Sequence, residues 1–141
     1  MLLSTIAAFL VSLGGFTFVY ANGASYFSSD ATACANCHVM KEQLDGWYKS
    51  SHRAVAKCND CHMPRGLVAK LGLKALNGFR HSWAFTTGFY KEPFFITPLN
   101  KKVTESSCRA CHAELTAEMA HEAPGGDRSC ISCHRSVGHL H

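Results

Sequence analysis

The sequence predicts an all-α fold, with one N-terminal membrane-spanning helix and a small helical domain behind it. Three observations predict this. Residues 2–20 read LLSTIAAFLVSLGGFTFVY, nineteen residues without a charge, and the first charged side chain is Asp30. No stretch shows the alternation of a half-buried strand. All eight cysteines fall in four Cys-x-x-Cys-His runs: Cys34-Ala-Asn-Cys37-His38, Cys58-Asn-Asp-Cys61-His62, Cys108-Arg-Ala-Cys111-His112 and Cys130-Ile-Ser-Cys133-His134.

Each run is the attachment signature of a c-type haem. Two thiols form thioethers with the vinyl groups, and the adjacent imidazole reaches the iron. A disulfide framework does not require a His after every second Cys, and zinc ribbons pair Cys-x-x-Cys units without it. The four runs therefore predict four haem c and electron transfer. Without the apolar segment, about 115 residues remain, too few for a sizeable side-chain core. The porphyrins are expected to supply that core, close enough together to conduct. The formal charge of +4 does not point to nucleic acid, because no basic run is interleaved with aromatics. Eight propionates would bring the holoprotein to roughly −4 with ferrous irons and roughly zero with ferric irons.

Leu2–Tyr20 matches the roughly 20 apolar residues that span a bilayer as a helix. Tyr20, Tyr26 and Phe27 follow where interfacial aromatics belong. A cleaved signal peptide is the alternative, with Ala21-Asn-Gly23 as a small-residue site, but a basic leading region is missing. We expect residues 1–22 to form a single-pass anchor in the cytoplasmic (inner) membrane. Haem attachment occurs outside the cytoplasm, so residues 23–141 are expected in the periplasm.

The first cysteines lie 24 residues apart in the first pair of sites and 22 apart in the second, with 50 between sites two and three. This spacing predicts two two-haem modules, about 30–63 and 105–141, joined by a helix and a loop. Helices are expected over 40–56, over 65–84 with Pro64 in the first turn, and over 105–122. Gly88, Pro93 and Pro98 make 87–104 read as an irregular crossing segment.

Several stretches carry a family resemblance: Ala33-Cys-Ala-Asn-Cys-His-Val-Met40, Ser51-His-Arg-Ala-Val-Ala-Lys-Cys-Asn-Asp-Cys-His62, Lys74-Ala-Leu-Asn-Gly-Phe-Arg-His81 and Cys130-Ile-Ser-Cys-His-Arg-Ser-Val-Gly-His139. In these the chain resembles the NapC/NirT/NrfH family of membrane-anchored quinol dehydrogenases. It is most similar to the NrfH type, the small subunit of ammonia-forming cytochrome c nitrite reductase. The Cys-x-x-Cys-His-x-Met start and the short length favour that type.

From the residues alone, His38, His62, His112 and His134 are the proximal ligands. The resemblance implies that Met40 replaces His38 on the first iron. It further implies His139 on haem 3 and His52 on haem 4, and a Lys from the catalytic partner on haem 2. His121 and His141 match no family ligand and are expected to be solvated. Lys74 and His81 are seven residues apart, about 20° on a helix, and so share a face. The resemblance implies a quinol site there beside haem 1. His81 stands where some relatives have an acid, and an imidazole suits proton acceptance at neutral pH. Gly72 and Gly78 are expected to let the flat ring approach the backbone.

The implied activity is oxidation of menaquinol and electron delivery to a pentahaem cytochrome c nitrite reductase catalytic subunit, with nitrite reduced to ammonia in that partner. Two alternatives stand at this point: a quinol dehydrogenase of the same fold serving another reductase, and an electron shuttle without quinol chemistry.

Overall fold

The structure is a computed structural model and describes residues 1–121 and 129–140. The described residues form eight α-helices and two 3-10 turns, with no strand. Helix α1 (Leu2–Tyr20) is apolar and none of its residues is buried. Three of its hydroxyls bond back along the helix backbone. Ser4 and Thr5 donate to the Met1 carbonyl and Thr17 to that of Leu13, which removes polar groups from an apolar surround. Length and composition fit a membrane crossing.

The chain leaves α1 through Asn22 in the left-handed region (φ 50°) and a 3-10 turn, Gly23–Phe27. Asn tolerates that conformation. Gly23 is obligatory here, because a Cβ on it would run into the Phe18 ring. Asp30 caps α2 (Ala31–Cys34), its Oδ1 accepting from the Thr32 amide at 2.9 Å. Those bonds hold its carboxyl below the usual range.

Helix α3 (Lys41–Tyr48) is shorter than the 40–56 expected from sequence. Trp47 Nε1 donates to the Ala56 carbonyl at 3.1 Å and folds residues 49–55 back in turns. Helix α4 (Cys58–His62) carries the second motif. Pro64 is not in the next helix. The break falls at Gly66, with φ 92°, and α5 runs from Leu67 to Thr87. The irregular crossing is also shorter than expected. Helix α6 (Pro98–Cys111) starts with Pro98 in its first turn and Thr97 Oγ1 accepting from the Asn100 amide, so Pro98 initiates structure. The helix expected over 105–122 is divided at His112 into α6 and α7 (Ala113–His121), while α8 (Cys130–Cys133) holds the fourth motif.

Among the described residues only Ala31 and Leu73 are buried apolar side chains, and none is fully buried. The segments are joined by polar links instead. The C-terminal segment crosses α3 at Gly46, where the Leu140 amide donates to the Gly46 carbonyl at 3.1 Å. A Cβ on Gly46 would lie 3.2 Å from the Leu140 carbonyl oxygen and 3.4 Å from His139 Cα. Gly46→Ala regains about 1 kcal/mol of helix propensity and blurs the test. Gly46→Val does not, and is expected to lose about 1–3 kcal/mol by overpacking. A lowered thermal midpoint of the holoprotein in circular dichroism checks this.

Candidate haem and quinol sites

The first motif is bonded to the end of the apolar helix. Asn36, between Cys34 and Cys37, donates through Nδ2 to the Ala21 carbonyl at 2.8 Å. The Tyr26 hydroxyl lies 3.9 Å from Cys37 Sγ. Asn59, between Cys58 and Cys61, donates to the Ser28 carbonyl at 3.2 Å. Lys74 Nζ reaches across from α5 to the carbonyls of Tyr26 at 2.6 Å and Ser28 at 3.2 Å. Carbonyls of residues 21–28 therefore collect two haem-site motifs and the middle of α5 at one junction.

The motif cysteines follow one another in space as in sequence. Cys58 donates a hydrogen bond to Cys34, holding the Cys34 thiol down to about 7 while Cys58 is pushed up. Burial, then the neighbouring Cys108, raises Cys61. Arg65 Nη2 is 3.7 Å from Cys111 Sγ. Helices α4 and α6 pack on one another, bringing motifs two and three together. Glu105 on α6 clamps the fourth motif: its carboxylate accepts from the amides of Cys130 at 2.8 Å and Ile131 at 3.1 Å and from the Ser129 hydroxyl.

Four imidazoles meet in two pairs drawn from both halves of the domain. The His62 and His139 rings are 5.9 Å apart, those of His52 and His112 6.1 Å. His139 Nδ1 donates to the Gln43 carbonyl at 2.8 Å and His52 Nδ1 to that of Val137 at 3.2 Å. Each bond fixes the tautomer that leaves Nε2 free to bind a metal. Burial, with His139 nearby, lowers the pKa of His62, favouring the neutral, ligating form. Met40 and His38 share a 3-10 turn (His38–Met40) and are both exposed, and His134 follows α8 in the open. The His121 side chain and His141 lie outside the described residues.

These residues fit haem c. The thiols stand in pairs, His52 and His139 present free Nε2 atoms, and a domain with two buried apolar side chains among the described residues has room for large apolar groups as its core.

Lys74 and His81 both belong to the inward stripe of α5, with Lys70, Leu73, Asn77 and Ala84. Lys74 is half-buried and His81 exposed one to two turns on. Burial and then Lys70 lower the Lys74 pKa, and Cys34 opposes them. Gly78 borders this stripe, with open space above it. Gly72 does not, because nine residues at 100° each put it half a turn from His81. The sequence reading of Gly72 as a pocket glycine is therefore corrected.

Sequence reasoning missed Asn36, Asn59 and Glu105. The signal was present for two of them, since an amide inside the Cys-x-x-Cys run can only face outward to a neighbour. Glu105 supplies a test. Its three hydrogen bonds outweigh desolvation and lower its pKa from 4.5. A depressed carboxylate adds stability that is present above its unfolded pKa and lost as pH falls through the folded one. Glu105→Gln places an amide donor against the Cys130 amide. The loss expected near pH 7 is about 1 kcal/mol after screening, with a shallower fall in stability below pH 4.5. Denaturant unfolding at several pH values measures both.

Known proteins place the chain. The model of the NapC/NirT cytochrome c family, N-terminal region, matches residues 1–141. The cytochrome c-type protein NrfH of Wolinella succinogenes is 38% identical, over 96% of this chain and 84% of its own. The cytochrome c nitrite reductase subunit NrfH of Nitratidesulfovibrio vulgaris is 35% identical, over 76% of this chain and 65% of its own. A crystal structure of the cytochrome c nitrite reductase NrfHA complex bound to the HQNO inhibitor contains a chain that superposes with a TM-score of 0.70. That chain is 29% identical, with 96% of this chain and 90% of the other covered. With its four haem-attachment runs and strand-free fold, the chain belongs to the NapC/NirT cytochrome c family and carries haem c.

Proposed function

We propose that this membrane protein is a tetrahaem cytochrome that oxidises menaquinol and passes the electrons to a periplasmic pentahaem nitrite reductase subunit. The observation that carries it is the Asn36–Ala21 bond, which fastens the first motif to the end of α1. Similarity to NrfH proteins along 96% of the chain supports the partner. Residues 1–22 are the anchor and 23–141 the haem domain, facing the periplasm.

The haems supply one-electron acceptors. The chain's own residues do the rest. Cysteine pairs 34/37, 58/61, 108/111 and 130/133 attach them. Met40, His62, His112 and His134 serve as proximal ligands. Ring centroids 5.9 and 6.1 Å apart have the spacing of two imidazoles that share one iron, which favours His139 opposite His62 on haem 2 and His52 opposite His112 on haem 3 over the haem 3 and haem 4 positions that the resemblance implied. The distal position of haem 4, rather than that of haem 2, then falls to the partner, which would join the redox centres of two subunits.

Quinol gives up two protons with its two electrons. His81 is exposed on the face shared with Lys74, and its imidazole accepts a proton and releases it to water. Lys74 has a different role. Its ammonium is committed to two carbonyls of the junction, so it positions the site and offers a remaining N–H to a quinol oxygen.

Quinol-driven haem reduction in proteoliposomes tests this reading. Wild type is expected to reduce fully with a menaquinol analogue. His81→Ala is expected to slow reduction by about 10²-fold, as for loss of a general base, with the dithionite-reduced spectrum unchanged. Lys74→Ala is expected to raise the quinol concentration needed. Undiminished rates in both variants would remove the site from α5. A new high-spin signal in His81→Ala would make His81 an iron ligand instead.

A further inference from the structure

Helix α5 is amphipathic in the inverted sense. Its three charged side chains, Lys70, Lys74 and Arg80, and the imidazole of His81 lie on or beside the half that faces the domain, which also holds Leu73, the one buried residue of the helix. The outward half has no charge. Val68, Leu71, Phe79 and Trp83 follow one another there at helical spacing, with exposures of 85%, 44%, 68% and 60%. A helix lying on a water-facing surface has the opposite arrangement.

The aromatic surface continues past the helix. The Phe79 and Trp83 rings stack at 6.4 Å. Phe85, Tyr90 and Phe94 form a cluster with centroids 5.0 to 6.1 Å apart. Phe89 and Phe95 stand 81% and 82% exposed beside it. Apolar patches this continuous mark an interaction site.

We infer that the outward face of α5 and the aromatic segment through Phe95 lie in the membrane interface, as a second contact besides α1. Three features favour lipid over protein as the occupant. First, α5 is continuous with the anchor: Lys74 holds the middle of α5 to carbonyls at Tyr26 and Ser28, six and eight residues beyond the end of α1. Second, the outward face offers Ser82 and Thr86 as its polar side chains and no charge with which to specify a protein partner. Third, the segment has no acidic residue between Leu67 and Tyr90, while Arg80 and Lys91 flank the apolar surface, where they can reach phosphates. Trp, Tyr and Phe are the residues that settle at headgroup depth. With α1 upright and α5 lying flat, the haem domain has one orientation on the bilayer, and the Lys74–His81 stripe meets the membrane edge where an apolar quinol arrives.

Photolabelling of the full-length holoprotein tests this. The protein is reconstituted in phosphatidylethanolamine and phosphatidylglycerol vesicles containing a phosphatidylcholine with a diazirine in its acyl chain. Labelled peptides are then mapped. The expected result is label on α1 and, at a comparable level, on Phe79, Trp83, Phe89 and Phe95, with none on Val55 or Leu115, which are as exposed at 80% and 74%. Label confined to α1, or equal on Val55 and Leu115, would overturn the inference. So would α5 labelling that is lost when the nitrite reductase subunit is bound, since that assigns the face to protein. Persistence of label in the complex supports lipid, and this readout does not depend on whether quinol is oxidised.

Discussion

The governing constraint is a shortage of side-chain core. Two buried apolar residues among those described cannot offset the conformational entropy of ordering a domain of this size. What the chain does have is a set of directed polar links. Asn36, Asn59 and Lys74 converge on the carbonyls of residues 21–28, Glu105 grips the fourth motif, and His52 and His139 reach across to carbonyls of the opposite half. Such bonds contribute only about 1 kcal/mol each but fix direction. They set where cysteine pairs and imidazoles stand. The apolar burial that stabilises the fold has to come from the attached porphyrins.

The same links explain how position becomes function. A single junction unites the end of α1, motifs one and two, and α5. Motifs two and three are joined through α4 against α6, and motifs three and four through Glu105. The order of attachment sites along the chain is thus also their order in space. On the proposed reading, electrons enter at the junction and leave along this series, while protons leave through the exposed imidazole of His81. The two products of quinol oxidation part at the membrane edge.

Much of this was legible in the sequence. The attachment runs are local chemistry, and α1 and α5 are local patterns of hydropathy, so both could be read without tertiary contacts. The Lys74–His81 face followed from helix periodicity alone. The misreadings have two causes, long-range contacts and local signals that went unread. Nothing local ends α3 at Tyr48; the indole of Trp47 bonding back to Ala56 does. Pro98 read as a breaker until Thr97 supplied the cap that makes it a first-turn residue. Glu105 went unread, since its partners are more than twenty residues away. Gly72 was grouped with Gly78, although the same helix periodicity puts it half a turn from His81.

If the porphyrins are the core, removing them must remove the fold. A variant with all eight cysteines replaced by Ala, kept in detergent to retain α1, is the decisive sample, followed by circular dichroism on heating. The expected result is residual helicity from α1 alone and no cooperative transition. A cooperative melt with the helix content of the haem-loaded protein would show that the polypeptide builds its own core and would contradict this account.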